Sequence, residues 1–424
     1  MHDRRVLRER PDDLREAMRR RGLLETLAPD IDRAVALEAD WRLLIQAAEE
    51  RKAARNASTQ EVARRRKAGD DASDLIAQGK ALGEEIARLE REVGAADREL
   101  DGILAGIPNA TLPEVPEGGE DANVIERTWG TPREREGVMP HWEILSALGL
   151  VDLERATKIS ASGFAVYRGA GARLVRALMN LFLDTHAAEH GYEEVWPPLL
   201  VNRASMTGTG NLPKFEDDAY RIAEDDLFLI PTAEVPITNL YRDEIIDVDS
   251  LPMAFCAYSA CFRREAGSAG KDTRGIQRMH QFDKVELVRY VAPEHSASEH
   301  ALLLSHAETM LQLLGLPYRV KLLAAGDTGF SSAKTYDLEV WAAGVGAWLE
   351  VSSVSSFTDF QARRANVRYR PARGEKPRFV HTLNGSGLAF PRTIACILEH
   401  YQQADGSVTV PEVLRPYMGT DRIG

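Results

Sequence analysis

Between residues 75 and 103 the apolar or small positions fall at Leu75, Gly79, Leu82, Ile86, Leu89, Val93, Ala96, Leu100 and Ile103, in alternating steps of four and three. That spacing holds one stripe against a partner helix and predicts about four heptads of coiled coil, roughly 40 Å of helix. Upstream, Leu37, Trp41, Leu44 and Ala48 keep the same rhythm, but the next seam positions are Arg51, Arg55 and Ser58. Gly69, Asp70, Asp71, Ala72 and Ser73 break the pattern, with Asp71 or Ser73 placed to cap the second helix. The expectation is an antiparallel helical hairpin within residues 1–107, apolar at its base and polar at its far end.

Residues 108–132 carry several prolines and glycines and read as a linker to a second domain, 133–424. There the periodicity changes. Residues 172–190 form an amphipathic helix that runs into Pro197 and Pro198. Strand-like alternation follows at 227–230, 253–259, 282–291, 318–323, 335–340 and 348–351. Few strand–helix–strand alternations appear, so the fold class is α+β, an antiparallel β-sheet with packed helices.

The chain has 424 residues, 44% of them hydrophobic, which allows two to four domains with a substantial core. Its formal net charge of −12 excludes wholesale attraction to nucleic acid or anionic membrane, so any polyanion must meet a local basic patch. Such a patch exists at the far end of the hairpin. Residues 51–67 hold seven Lys or Arg and one acid, Glu61. A solvated helical tip and a phosphate-binding arm both fit that pattern. Cys256, Cys261 and Cys396 make neither a disulfide framework nor a zinc pattern. The charged N-terminus has no apolar core of a signal peptide, and no apolar run is long enough to span a bilayer. A cytoplasmic protein with no membrane partner is expected.

The densest chemistry lies in residues 262–286, FRREAGSAGKDTRGIQRMHQFDKVE. An apolar run ends at Arg263, Arg264 and Glu265, glycines and small residues at 267–270 turn the chain, and alternation resumes at Phe282. A long-looped hairpin would set Arg263, Glu265, Phe282 and Glu286 on one face. An arginine fork, a carboxylate and an aromatic plate can hold a nucleotide by phosphate, base edge and base face. Neither common nucleotide loop, G-x-x-x-x-G-K-[ST] or G-x-G-x-x-G, is present. Three further segments supply parts. Thr232 and Glu234 sit between Pro231 and Pro236, where a hydroxyl and a carboxylate suit an α-ammonium. Acids alternate with apolar residues in KTYDLEVW (334–341) and WLEVSS (348–353), and Glu350 with Ser353 offers oxygen ligands for Mg²⁺. Asn384, Gly385, Ser386 and Gly387 lead to Arg392 at the start of a helix, where small residues admit a ligand and the arginine suits a phosphate.

Residues 262–286 resemble motif 2, and residues 387–392 with the following helix resemble motif 3, of the class II aminoacyl-tRNA synthetases. PTAEVP, FRREAGSAGKDTRG, HQFDKVE, KTYDLEVW, DFQARR, LNGSGLA and VPEVLRPYMG, in that order, resemble the bacterial seryl-tRNA synthetase family over essentially the whole chain. The resemblance implies a tRNA-binding arm, a class II catalytic domain, and ATP-dependent activation of L-serine followed by transfer to serine tRNA, with selenocysteine tRNA a further acceptor. Arg263 and Arg392 would be the catalytic pair, with Arg263 between the ATP α-phosphate and the serine carboxylate. Glu265 would take the adenine amino group, Phe282 would stack on the ring with Arg392 across it or near the γ-phosphate, and Arg278 would reach the γ-phosphate. Arg264, Met279, Val351 and Ser352 complete the ATP set. Thr232, Ala233, Glu234 and Glu286 would line the serine pocket, closed by Asn384 and Ser386. Glu350 and Ser353 would hold Mg²⁺. Arg51, Lys52, Arg55, Arg64, Arg65 and Arg66 are the implied tRNA contacts. A homodimer is implied too, with 172–198 in the place of motif 1. Two other readings stay open: a serine-activating paralogue with a different acceptor, and a non-catalytic coiled-coil RNA-binding protein.

Overall fold

The computed structural model describes residues 1–266 and 274–424 and divides into two compact units, Met1–Pro108 and Asn109–Gly424. Gly267, Ser268, Ala269 and Gly270, read as the turn of the hairpin, lie outside the described residues.

In the first unit two short helices, α1 (Arg4–Glu9) and α2 (Pro11–Arg20), precede the long pair α3 (Leu24–Ala68) and α4 (Ser73–Gly106). The apolar seam behaves as its spacing requires. Leu37 and Ala48 on α3 are buried, as are Ile86, Leu89, Ala96 and Leu100 on α4, and Leu104 rather than Ile103 closes the base. Gly69 ends α3 in the left-handed conformation at φ +83°, which a glycine adopts without a Cβ clash. Asp71 then accepts the Ser73 backbone N–H at 3.0 Å, so it caps α4 from one residue before the Ala72 N-cap position.

The second unit is built on an eight-stranded sheet. Its strands in chain order are β1 (Val124–Trp129), β2 (Glu193–Glu194), β3 (Met253–Phe262), β4 (Gln281–Val291), β5 (Tyr318–Leu322), β6 (Lys334–Ala342), β7 (Ala347–Thr358) and β8 (His381–Ala389). They lie in the order β1-β5-β6-β7-β8-β4-β3-β2, and every neighbouring pair is antiparallel except β2 with β3. The stretch read as a linker is corrected here. Residues 124–129 form the edge strand β1, and Asn109 donates through its backbone to Phe330 O at 2.9 Å. All six side chains of β1 are exposed, so the strand carries no alternation of burial.

Helices α5 (Ala170–Ala188), α7 (Ser296–Leu313) and α8 (Phe390–Tyr401) pack on one sheet face around Leu178, Phe182, Val285, Leu287, Leu303 and Ile394. Between α5 and α7 the chain also forms the short helix α6 (Glu234–Thr238). Gly385 in β8 shows how close this packing is, since a Cβ there would stand 2.3 Å from Leu303 Cδ2. Alternation on β4 does the sorting. Val285 and Leu287 enter this core, whereas Phe282, Lys284 and Glu286 face the other way. Farther along that second face Val288 and Tyr290 join a smaller cluster with Phe255, Ala257 and Ile237.

Candidate active site

Two cavities meet on the face of the sheet opposite α5, α7 and α8. The larger, about 590 Å³, is lined among others by Thr232, Glu234, Arg263, Glu265 and Arg278. The smaller, about 240 Å³, shares Arg263, Glu265 and Arg278 and adds Met279, Phe282, Lys284, Glu350, Val351, Ser386 and Arg392.

Register explains why these residues meet. Directly paired residues of antiparallel strands share a face. Glu286 pairs with Ala257 on β3 and Ser386 on β8, and Phe282 pairs with Cys261. Glu350 and Ser353 are three apart, which in a regular strand would turn them to opposite faces. A register shift lets Glu350 pair with Glu339 and Ser353 with Asp337, two residues apart on β6. One extra residue in β7 therefore brings both ligands to the same side. A second shift sets Lys284 opposite Ala389 and Glu286 opposite Ser386, with Leu388 at φ +85°, a conformation that costs a branched side chain.

The floor is a buried charge cluster. Glu286, 1% exposed, forms an ion pair with Lys284 and accepts a hydrogen bond from Thr232 Oγ1 at 2.6 Å. Thr232 Oγ1 also receives the Glu234 backbone N–H at 3.2 Å, which orders the start of α6. Glu234 Oε1 accepts from Gln361 Nε2 at 2.7 Å, and Gln361 Oε1 is held by Thr382. Burial, then the charge of Glu286, pushes the Glu234 carboxyl up to about 7. Burying these groups is tolerable because each has a partner.

The arginines are paired with the other site residues. Arg263 stands 5.1 Å from the Phe282 ring centroid and donates through Nε to Pro231 O at 3.4 Å. A base can use that face of Phe282 only after the guanidinium has moved. Arg278 pairs with Glu265 at 3.1 Å. Arg392 donates to Glu350 O at 2.7 Å and lies 3.4 Å from the Glu350 carboxylate. The smaller cavity thus has Phe282, Arg392, two further arginines and Glu350 in its wall, parts suited to a nucleotide with its phosphates.

Not every expected residue contributes a side chain. Ala233 is buried in the smaller core cluster, so only its backbone can serve the site. Ser352 Oγ is committed to Ser386 O at 2.6 Å. Arg264 is exposed and lines neither cavity, and neither does Asn384, which pairs in register with Val288 and Ser355. One residue was missed. Asp337 is 7% exposed, faces Ser353 across the strand pair, and its Oδ1 has no hydrogen-bond partner among the described residues. The burial itself and the nearby Glu350 charge push its carboxyl well up. The contrast with Glu339, on the same strand and face, identifies it, since Glu339 is met by Arg319 at 2.5 Å and Lys321 at 2.6 Å.

The arm residues belong to the first unit. Arg51 pairs with Glu85 at 3.0 Å, Lys52 with Glu49 and Glu90, Arg64 with Glu61 and Arg65 with Asp74. The basic run is therefore less bare than its sequence, because α4 supplies acids across the hairpin. Among the described residues no carboxylate partner is recorded for Arg55 or Arg66.

An antiparallel sheet with a nucleotide cavity floored by side chains is the architecture of the class II aminoacyl-tRNA synthetases. A model of that class, the tRNA synthetase class II core domain (G, H, P, S and T), matches residues 214–401, and one of the Seryl-tRNA synthetase N-terminal domain matches residues 1–111. The serine–tRNA ligase of Gemmatimonas aurantiaca is 66% identical, with 99% of each chain covered. The crystal structure of the seryl-tRNA synthetase of Pyrococcus horikoshii complexed with ATP superposes with a TM-score of 0.94 at 38% identity, covering 100% of this chain and 99% of that one. The cytoplasmic serine–tRNA ligase of Naegleria fowleri in complex with AMP gives 0.88 at 31% identity, covering 100% and 98%. The chain belongs to the seryl-tRNA synthetase family.

Proposed function

We propose that the chain joins L-serine to serine tRNA in two steps, each carried by the residues that floor and wall the two cavities. The observation that carries the serine reading is the buried Thr232–Glu286–Lys284 cluster beneath Arg263. A carboxylate fixed at 1% exposure by Lys284 and Thr232 can accept the serine hydroxyl as a further hydrogen bond, which an analogue without the hydroxyl forgoes. Glu234, when ionised, takes the α-ammonium. Arg263 holds the serine carboxylate against the α-phosphorus of ATP. The carboxylate oxygen attacks, the bond to pyrophosphate breaks, and seryl-adenylate forms. The 3′-terminal ribose hydroxyl then attacks the activated carbonyl, and AMP leaves.

The protein's part is alignment and neutralisation of phosphate charge. Phe282 and Arg392 hold the adenine between them, Glu265 reads its amino group once released from Arg278, and Arg278 turns to the γ-phosphate. Met279 and Val351 pack around the nucleotide, with the backbone of Ser352 alongside. Ser386 lies on the edge nearest the serine.

Glu350, Ser353 and the unpartnered Asp337 Oδ1 form an oxygen donor set on one face, which fits a hard divalent cation that keeps part of its water. Bound Mg²⁺ would offset phosphate charge during the displacement. Two copies of the chain pairing as a homodimer would cover the open edge at β2 and Trp196, which is 70% exposed. No helix among the described residues is long and apolar enough to cross a membrane, and we place the enzyme in the cytoplasm.

The test is ATP–pyrophosphate exchange with serine, threonine and alanine, followed by charging of total tRNA. Exchange with serine alone and esterification of serine tRNA are expected. Exchange without charging would move the assignment to a paralogue with another acceptor, and no exchange would end it.

A further inference from the structure

The ATP half of the site leans on α8, which carries Arg392 in its first turn and Glu399 two turns later on the same face, roughly 10 Å along the helix. Glu399 is fully buried. Its Oε1 accepts the His141 backbone N–H at 2.9 Å and His141 Nδ1–H at 2.8 Å. Its Oε2 accepts Gly344 N at 2.8 Å and Val345 N at 3.2 Å, in the turn between β6 and β7. Gln402 completes the docking, accepting from Met139 N and donating to Met139 O, each at 2.9 Å. None of these residues lines either cavity.

A carboxylate bonded on both oxygens fixes the His141 ring, and the far edge of that ring faces the nucleotide segment. His141 is 0% exposed, and its Nε2 has no hydrogen-bond partner among the described residues. A polar atom left so in a native interior calls for a reason. What it meets is Gly275, at φ +68°, where a Cβ would stand 2.4 Å from Nε2. Beside it the Arg274 guanidinium lies 5.1 Å from the Trp142 ring centroid, so both residues seat on the short helix His141–Ala147. Farther along, Ile276 is fully buried, the Gln277 carbonyl accepts from Arg392 Nε at 3.3 Å, and Arg278 pairs with Glu265 at 3.1 Å. α8 therefore grips residues 274–278 twice, directly through Arg392 and through His141 from Glu399.

We propose that His141 is a positioning residue for ATP. Its ring, fixed by Glu399, is the stop on which Gly275 seats, and that seat sets where Arg278 and Arg392 stand against the nucleotide. Histidine suits the task because one nitrogen holds the carboxylate while the opposite edge presents a wall to a backbone without a side chain. Thr232, Glu234 and Glu286, which serve serine, are reached by none of these bonds. The proposal rests on the ATP-binding reading above, and the experiment separates the two.

Serine-dependent ATP–pyrophosphate exchange is measured in the wild type, His141→Asn, Gly275→Ala and the double variant, with Tm and transfer from preformed seryl-adenylate to serine tRNA alongside. His141→Asn keeps an N–H where Nδ1 stood and removes the edge that meets Gly275. Gly275→Ala disturbs the same contact from the other side and leaves the bonds of Glu399 alone. Each single variant should raise the ATP KM about tenfold, the scale of a small misplacement of a binding group, with the serine KM and the transfer rate unchanged. In the double variant the two increases should not multiply, because the added methyl no longer meets the ring. ATP and serine KM rising together, or a lower Tm with both KM values at wild type, overturns the assignment and leaves His141 a packing residue. Increases that multiply overturn the shared contact. A wild type without serine-dependent exchange overturns the parent reading, and this proposal with it.

Discussion

The arm and the sheet use the same residue types in opposite surroundings. Arg51, Lys52, Arg64 and Arg65 meet their carboxylates in water, where such pairs add little stability and are easily exchanged for a phosphate. Lys284 and Glu286 meet where almost no solvent reaches, and removing either leaves a buried charge that costs several kcal/mol. The difference teaches what each region can recognise. Exchangeable surface pairs suit the reading of shape and charge over a long helix. A fixed, desolvated cluster suits the reading of one hydroxyl.

Predictions follow that contrast in descending size. Arg263→Ala should leave the fold intact, because the side chain is exposed, and lower serine-dependent exchange by about 10³-fold, roughly 4 kcal/mol of transition-state binding. Near-wild-type exchange, measured with the variant's Tm unchanged, would remove Arg263 from the reaction.

Glu234 is the next and gives a pH signature. Its folded-state carboxyl sits at about 7, above the ordinary 4.5, so the folded protein retains a proton that the unfolded chain releases. That contribution to stability is fully present below about 4.5 and is lost as the pH rises through 7. Glu234→Gln should therefore gain Tm relative to the wild type between pH 5 and pH 8, by a few degrees. The serine KM of the wild type should fall over the same range as Glu234 ionises, and that of the variant should stay flat. A wild-type KM independent of pH would place the α-ammonium elsewhere.

The smallest effects belong to the arm. Replacing Arg55 and Arg66 together by Ala should raise the tRNA KM several-fold and reduce the salt slope of binding by about 2, with exchange unaltered. Arg51→Ala should do less, since Glu85 already offsets its charge. An exchange defect in the double variant would break the division of labour.

Most of this was legible in the chain, and the exceptions share a cause. The arm's seam announces itself because it has one wet and one buried side, which prints a period on the sequence, and β4, buried on both faces over most of its length, shows itself through the alternation of Lys284 and Glu286 with Val285 and Leu287. β1 prints none, being exposed along all six residues, and so reads as linker. β8 lies mid-sheet, yet it is absent from the strand-like runs of the sequence, because Gly385 must be small against Leu303 and Gly387 against His186 and Val285. Asp337 hid in KTYDLEVW, where two alternating acids look alike until Arg319 and Lys321 are seen to form their ion pairs with Glu339. The arm's charge was overstated because sequence proximity could not count acids arriving from α4.

The extra residue in β7 acts on the strand as a frameshift acts on a message. Upstream of it Glu350 lies on the site face of the sheet, and downstream Ser353 and Ser355 do, so the interval between them is odd where a plain strand requires even. Substitutions near 351 and 352 alter single letters and leave that phase alone. A one-residue deletion would put the strand back in regular step and turn either Glu350 or Ser353, the two proposed metal ligands, toward the core. Length, more than spelling, is what this segment of the chain must conserve.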